Sequence, residues 1–170
     1  FSLYAARGGA PLVTSLDISA PALDAARRNF ELNDHLPNVA AAHREFLAED
    51  AFAGLVRLAQ EGRRFDLVVV DPPAFAQQQT AIPGALLAYE RLTRLALGVL
   101  RPGGTLVIAS CSSRVSAEEF FAAVRRGAAR AGRSLNEFAH TGHPLDHPVR
   151  FAEGAYLKCM YAVVDDATAV

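Results

Sequence analysis

Short apolar runs alternate with amphipathic segments along the chain, and glycine and proline residues separate them. Leu12 to Ile18 and Phe65 to Val70 are rich in β-branched residues, which predicts strands. Pro21 to Asn33 carries apolar side chains at helical spacing, and Ser19 stands before it as a helix cap. Strands that alternate with helices of this length favour parallel pairing. We therefore expect a doubly wound α/β sandwich that forms a single domain over residues 1–170.

The remaining segments extend the same pattern. Phe65 to Val70 lacks polar alternation, which is typical of a central strand covered on both faces. Further strands are predicted over Val39 to Arg44, Thr105 to Ser110, Leu135 to Thr141 and Tyr156 to Val164, and further helices over Asp50 to Glu61, Gly84 to Leu100 and Ala117 to Ala131. The chain opens inside a predicted helix without an initiator methionine, so we interpret it as a fragment.

Composition narrows the class of protein. Hydrophobic residues make up 51% and charged residues 21% of 170 residues, as in an ordinary globular domain. The net charge of −1 gives no general attraction to nucleic acid. Two cysteines are too few for a disulfide scaffold, and no apolar run is long enough to span a membrane. We expect a cytoplasmic protein without a membrane partner, and the sequence leaves the oligomeric state open, a homodimer included.

Two acidic residues follow predicted strands in the first third of the chain. In doubly wound folds, ligands bind outside the carboxyl ends of the strands. Asp17 ends its strand and can accept hydrogen bonds from the ribose hydroxyls of a nucleotide-like cofactor. Asp50 opens the next helix and can meet an adenine amino group. For both carboxylates, a helix cap or a solvated surface position is the alternative.

The segment from Asp71 to Phe75 follows the strongest predicted strand. Pro72 and Pro73 stiffen the loop, and a proline keeps the preceding residue out of helical geometry. Asp71 can hydrogen-bond the edge of a base, while Phe75 offers a face for stacking. A stiff turn with a phenylalanine in the core is the alternative.

Cys111 lies at the end of the next predicted strand, within Ser110-Cys111-Ser112. We expect it beside Asp71, where it is either a nucleophile or a small buried hydrophobe. Cys159 is expected in the core. His140, His143 and His147 lack metal-ligand spacing, so no metal is predicted.

With these motifs the chain resembles bacterial large-subunit (23S) ribosomal RNA cytosine-5 methyltransferases that carry an N-terminal PUA domain, within the class I S-adenosylmethionine-dependent methyltransferases. The matching stretches are spread over nearly the whole chain and keep the order and spacing that they have in the family. They are Phe1–Ala10, Ser15–Asn33, Phe65–Phe75, Leu100–Ser112, Asp146-His147-Pro148 and Glu153–Lys158. It implies a Rossmann-like sandwich with a mostly parallel sheet and an antiparallel C-terminal strand.

The resemblance also implies roles for individual residues. Asp17 would hold the cofactor ribose, with Ile18 near the adenine, and Asp50 and Ala51 would contact the adenine edge. Asp71 and Pro72 would lie beside the methyl group and the base, with Pro73 and Phe75 against the substrate. Cys111 would be the catalytic cysteine. The cofactor would be S-adenosylmethionine, leaving as S-adenosylhomocysteine, and the partner 23S ribosomal RNA.

The chain departs from that family at its beginning. Members place a strand and a glycine-bearing loop before the segment that matches Phe1, and that strand lies between the Asp17 strand and the Asp71 strand. We expect the edges of both strands to lack a partner here, and the PUA domain is also missing. Three other functions stay open: an amino-group methyltransferase, a non-catalytic domain that binds RNA or a partner, and a dinucleotide-dependent oxidoreductase.

Overall fold

The computed structural model describes residues 1–151 and 154–166. Its α-helices are α1 (Ser2–Arg7), α2 (Ala20–Glu31), α3 (Pro37–Ala41), α4 (Ala51–Gln60), α5 (Ile82–Gly98) and α6 (Ala117–Arg130). Its strands are β1 (Leu12–Asp17), β2 (His43–Ala48), β3 (Phe65–Val70), β4 (Leu100–Ser110), β5 (Arg133–Thr141) and β6 (Lys158–Asp166). A 3₁₀ turn over Gln79–Ala81 leads into α5. Within these residues, no helix is long and apolar enough to cross a membrane.

The chain divides into two compact units, Phe1–Arg57 and Leu58–Val170. In the first unit β1 and β2 pair in parallel, with Asp17 opposite Ala48. Its core is built by side chains of β1 and the surrounding helices, namely Ala6, Val13, Phe30, Val39 and Ala42. The predicted strand over Val39 to Arg44 is wrong, because Pro37 starts the short helix α3 and the strand begins only at His43.

The second unit holds a four-stranded sheet in the order β3-β4-β6-β5. β3 and β4 are parallel, and β6 runs antiparallel to both β4 and β5. The predicted α/β class and the antiparallel C-terminal strand are therefore confirmed. The segment Pro102-Gly103-Gly104 forms a bulge inside β4, where Gly103 has a φ of 75°.

β3 differs from its prediction as a central strand. Its bounds agree with the apolar run, but among the described strands it pairs with β4 alone and so lies at the edge of its sheet. Leu67 and Val69 share one face of the strand and are 47% and 36% exposed. An apolar run does not by itself show that other elements cover both faces of the strand. The prediction of a strand buried on both faces is therefore wrong for the face that carries Leu67 and Val69.

The helices α5 and α6 pack closely against each other through Gly127. A Cβ atom at Gly127 would lie 2.6 Å from the carbonyl oxygen of Glu90 and 2.8 Å from the Cβ of Thr93. Glu90 is buried beneath this contact and forms ion pairs with Arg126 and Arg130. The loop that precedes α6 directly follows the carboxyl end of β4.

Candidate functional site

Asp71 and Cys111 follow neighbouring parallel strands in the second unit. Val70 pairs with Ile108 across the β3–β4 ladder, so Asp71 and Cys111 both lie beyond the carboxyl ends of these strands. Cys111 is a half-buried free thiol. The register therefore places Asp71 and Cys111 at the same end of two neighbouring strands.

Hydrogen bonds fix the backbone on both sides of Cys111. The hydroxyls of Tyr89 and Ser110 share a buried hydrogen bond of 2.8 Å, and the Ser112 backbone N–H donates to Ser110 Oγ at 3.2 Å. The Ser112 hydroxyl donates to the carbonyl oxygen of Ala76 at 3.2 Å. These serines are fully buried, whereas the thiol between them is only half-buried. The segment is thus a rigid support for one partly accessible sulfur.

The loop after β3 carries the Asp71 carboxylate and the Phe75 ring, part of which packs against a neighbouring side chain. Partial burial raises the pKa of the Asp71 carboxyl. Pro72 is half-buried and Pro73 is exposed. The Phe75 ring lies 4.9 Å from the Tyr89 ring, centroid to centroid, so part of its surface is already used in packing. This contact supports the alternative of a packed phenylalanine and leaves its remaining half-exposed surface for a ligand.

Lys158 is a residue of this region that the sequence analysis did not select. It starts β6, is only 6% exposed, and donates from Nζ to the carbonyl oxygens of Ser112, Val115 and Tyr156. The signal was present in the sequence, because Lys158 is the only lysine and stands at the start of an apolar strand. Tyr89 was also missed, since a tyrosine on an apolar helix face gives no sign of a distant hydroxyl partner.

In the first unit, Asp17 ends β1 and is exposed. One carboxylate oxygen accepts the Ser19 backbone N–H at 2.7 Å, and Ser19 in turn caps α2 by accepting the Ala22 N–H. The second carboxylate oxygen of Asp17 has no partner among the residues that the structure describes. Ile18 is 74% exposed. A free acceptor beside an exposed apolar side chain fits a ribose hydroxyl and an adenine face.

Asp50 lies beyond the end of β2, at the same edge of the two-stranded sheet. Its carboxylate accepts the Ala53 N–H at 3.0 Å and so caps α4, as the alternative interpretation predicted. Ala51 is half-buried. The neighbouring Glu49 carboxylate pairs with Arg57, and this hydrogen bond holds the pKa of Glu49 below its usual value.

The histidines do not build a metal centre. His143 Nε2 accepts the backbone N–H groups of Tyr156 and Leu157 at 3.2 and 3.1 Å, and His147 stacks on the His143 ring. His140 pairs with Glu137. No group of three or more metal-ligating side chains occurs in residues 1–151 and 154–166. Glu153, part of one stretch of the family resemblance, lies outside the described residues.

Comparison with known proteins gives consistent matches. A ribosomal RNA large subunit methyltransferase of Deinococcus radiodurans is 47% identical over 97% of this chain and 40% of its own length. Ribosomal RNA large subunit methyltransferase I of Pseudoalteromonas translucida is 39% identical over 93% of this chain and 39% of its own length. The chain thus spans about two-fifths of the curated relatives it matches.

Solved structures agree on the fold. SMU.776, described as a methyltransferase complexed with SAH, has a TM-score of 0.78 at 23% identity and covers 95% of this chain and 42% of its own. A SAM-dependent methyltransferase from Streptococcus mutans has a TM-score of 0.77 at 21% identity, covering 95% of this chain and 41% of its own. Residues 1–159 match the family described as S-adenosylmethionine-dependent methyltransferase. The chain therefore belongs to the S-adenosylmethionine-dependent methyltransferase family.

Proposed function

We propose that this chain is the catalytic domain of an enzyme that methylates carbon 5 of a cytosine in large-subunit ribosomal RNA. The names of the relatives that are 47% and 39% identical support the RNA substrate. The observation that carries the choice of carbon 5 is the half-buried thiol of Cys111, which follows the strand next to that of Asp71. The proposed enzyme acts in the cytosol, and its substrate is 23S ribosomal RNA.

The chemistry explains why a thiol is needed. Carbon 5 of cytosine is a weak nucleophile. When bound, S-adenosylmethionine would supply an electrophilic methyl group, and its sulfur would leave as the thioether of S-adenosylhomocysteine. The Cys111 thiolate adds to carbon 6, which makes carbon 5 enamine-like and able to form the new carbon–carbon bond. Asp71 steadies the ring by hydrogen-bonding its nitrogen edge. Loss of the carbon 5 proton to a base then restores the ring double bond and releases the Cys111 sulfur as thiolate.

The cofactor contacts are proposed residue by residue. In the first unit, Asp17 would accept from the ribose hydroxyls through its free carboxylate oxygen, and the exposed Ile18 would cover the adenine. Asp50 and Ala51 would contact the adenine edge. The Asp50 carboxylate would do so while also accepting the Ala53 N–H that caps α4.

In the second unit, Asp71 and Pro72 would lie against the methyl-bearing part of the cofactor and the target base. Pro73 and Phe75 would contact the RNA. The exposed surface of Pro73 and the partial exposure of Phe75 support this assignment. Support for Asp71 comes from its position directly after β3 and from its exposure, which leaves the carboxylate open to a base.

Covalent trapping tests the proposed function. The complete protein is incubated with S-adenosylmethionine and ribosomal RNA containing 5-fluorocytidine, and the products are separated under denaturing conditions. Fluorine cannot leave carbon 5 as a proton does, so the adduct between sulfur and base should persist. We expect a protein–RNA adduct with the wild type and none with Cys111→Ala. Cys159→Ala is the matched control and should form the adduct.

Three outcomes would contradict the proposal. RNA methylation without an adduct, and with Cys111→Ala fully active, would indicate an amino-group methyltransferase. A complete protein that fails to bind S-adenosylmethionine would indicate a non-catalytic domain. An adduct that also forms with Cys111→Ala would assign the covalent step to a different residue.

A further inference from the structure

Four arginines line a cavity of about 440 Å³ in the second unit. They are Arg64, Arg94, Arg130 and Arg133, and the rest of the lining is apolar side chains and glycine. Among the described residues, no acidic side chain belongs to the lining. A volume of this size lies in the range of ligand sites, about 300–1,000 Å³. Positive charge gathered around a cavity without a lining carboxylate indicates a site for an anion.

The arginine cavity lies at the end of the sheet opposite to Cys111. Arg64 precedes β3, Arg133 begins β5, and Leu100 of the lining begins β4. Cys111 follows the last residue of β4, so the whole 11-residue strand separates the cavity from the thiol. At about 3.3 Å per residue this separation is roughly 30 Å. A small ligand in the cavity therefore does not touch the reacting atoms.

Two of the four arginines are held by structural contacts. Arg133 Nη1 donates to the carbonyl oxygens of Leu97 and Leu100, both at 3.1 Å. Carbonyls at the end of a helix carry partial negative charge that would repel an anion, and Arg133 compensates it at the end of α5. Arg130 pairs with the buried Glu90 at 2.6 Å. These two side chains shape the cavity and are not free for a ligand.

The other two arginines have unused hydrogen-bond donors. Both Arg94 and Arg64 are exposed. Arg94 has no hydrogen bond or ion pair with any described residue. Arg64 Nη1 donates to the carbonyl oxygen of Arg63 at 2.7 Å, which uses one of its five N–H groups. The nearest acid along the chain from Arg64, Asp66, is already paired with Arg101 at 2.5 Å.

Stabilisation of helix ends is the alternative role for arginines in this position. Basic side chains near a helix C-terminus interact favourably with the helix dipole. Arg130, the last residue of α6, and Arg133, which contacts the end of α5, fit this role. Arg94 lies a full turn before the end of α5, and Arg64 belongs to no helix. The alternative therefore leaves the two unpaired guanidinium groups unexplained.

We propose that the arginine cavity binds a phosphate group of the RNA backbone and so holds the substrate at a point remote from Cys111. This inference rests on the proposed RNA substrate. A guanidinium presents paired donors that match two phosphate oxygens. The net charge of −1 gives this chain no general attraction to RNA, so its affinity for phosphates has to come from a local cluster.

The test measures RNA binding by the complete protein. Equilibrium filter binding with 23S ribosomal RNA is carried out at about 50–300 mM salt, a range over which phosphate contacts weaken strongly. The glutamine pair, Arg64→Gln with Arg94→Gln, removes both free guanidinium groups at exposed positions and should fold. The matched control is Arg27→Gln with Arg125→Gln, which removes the same charge from two exposed arginines outside the cavity that are already in ion pairs.

We expect the glutamine pair to weaken RNA binding roughly tenfold at about 0.1 M salt. The slope of log affinity against log salt should fall by about 1.4–1.8, because each phosphate contact contributes about 0.7–0.9. The control pair should keep the wild-type affinity and slope. Unchanged binding by the glutamine pair, or an equal loss in the control pair, would overturn the proposal.

A second variant tests whether charge is the cause. Arg64→Lys with Arg94→Lys keeps both positive charges, so it should keep the wild-type slope. A slope as low as that of the glutamine pair would show that the loss does not come from charge, and would overturn the proposal.

Parallel measurements identify the class of ligand. Labelled poly-glutamate and inorganic phosphate replace the RNA at the same salt concentrations. If the glutamine pair loses affinity for poly-glutamate and not for RNA, the cavity binds an acidic protein segment. If it loses affinity for inorganic phosphate alone, the cavity binds a small anion. Either result would overturn the assignment to RNA.

RNA binding needs neither cofactor nor thiol, so the two proposals fail in different experiments. A missing covalent adduct, together with normal RNA binding, overturns only the cytosine-5 chemistry. Wild-type RNA affinity in the glutamine pair, together with a normal adduct, overturns only the role of the arginine cavity. A wild-type protein that does not bind ribosomal RNA would overturn both.

Discussion

Asp17 has two carboxylate oxygens in different surroundings. One closes the turn to Ser19, and the other has no partner among the described residues. The position of Asp17 could be predicted from the sequence, because a residue that ends a strand lies at the carboxyl end of that strand. The positions of Asp71 and Cys111 could be predicted for the same reason. For Lys158 the sequence marked the residue, as the only lysine at the start of an apolar strand, but not its three acceptors, which come from the turn after β4 and from the loop before β6.

Replacing Asp17 by Asn should weaken binding of S-adenosylmethionine to the complete protein by about tenfold or more. The amide can keep one oxygen for the Ser19 N–H but replaces the second acceptor by a donor, and a hydrogen bond to a charged group contributes about 1.5–3 kcal/mol. Isothermal titration calorimetry measures the change. Asp24→Asn, which alters an exposed carboxylate on α2 that pairs with Arg27, should bind normally. Equal affinities for both variants would exclude Asp17 as a ribose contact.

At the scale of elements, α6 starts with a capping box. Ser116 Oγ accepts the Glu119 N–H, and the Glu119 carboxylate accepts from the Ser116 N–H and hydroxyl. These bonds hold the pKa of Glu119 below its usual value of 4.5. A lowered pKa in the folded state stabilises the protein above pH 4.5, and this stabilisation is lost as the pH falls through the lower, folded-state pKa.

Glu119→Gln should therefore lower the melting temperature at neutral pH, and the difference from the wild type should shrink below pH 4.5. Thermal unfolding followed by circular dichroism between neutral and acid pH measures this dependence. Glu118→Gln is the control, since Glu118 lies in the same first turn but does not take part in the capping box. The prediction fails if Glu118→Gln shows the same pH-dependent loss.

The close packing of α5 and α6 gives a second prediction at this scale. Gly127→Ala should destabilise the protein by about 1–3 kcal/mol, because the added methyl group meets the backbone of Glu90 and the Cβ of Thr93. Gly84→Ala, in the first turn of α5, has open space around its Cβ and should be neutral or stabilising by up to about 1 kcal/mol. Urea unfolding compares the two; equal stability would show that the helices separate without cost.

The elements themselves were largely predictable. The bounds of β3 agree with its apolar run, and β1, α2 and α6 begin or end within two residues of their predictions. The second strand was misplaced because Pro37 begins a helix in a segment without clear periodicity. The free edge of β3 was expected from the strand order of the family it resembles, and among the described strands β3 does pair with β4 alone. The exposure of Leu67 and Val69 could not be predicted, since an apolar run does not show which of its side chains are covered.

At the scale of the whole molecule, strand order should control the exchange of backbone amides. β4 lies between β3 and β6, and its Leu106 and Ile108 are fully buried, whereas β5 lies at an edge. We expect the slowest hydrogen exchange in β4 and β6, and faster exchange in β5. Mass spectrometry of deuterated peptides measures this order. Protection of β5 equal to that of β4 would contradict it.

The burial of the only lysine has a practical consequence. A lysine-specific protease can cut this 170-residue sequence at a single bond, the one after Lys158. In the folded protein that bond lies at the start of a paired strand, and the side chain that the protease must recognise is buried. Cleavage therefore requires β6 to leave the sheet. The rate of this single cleavage therefore measures how often the sheet that carries the Cys111 thiol opens.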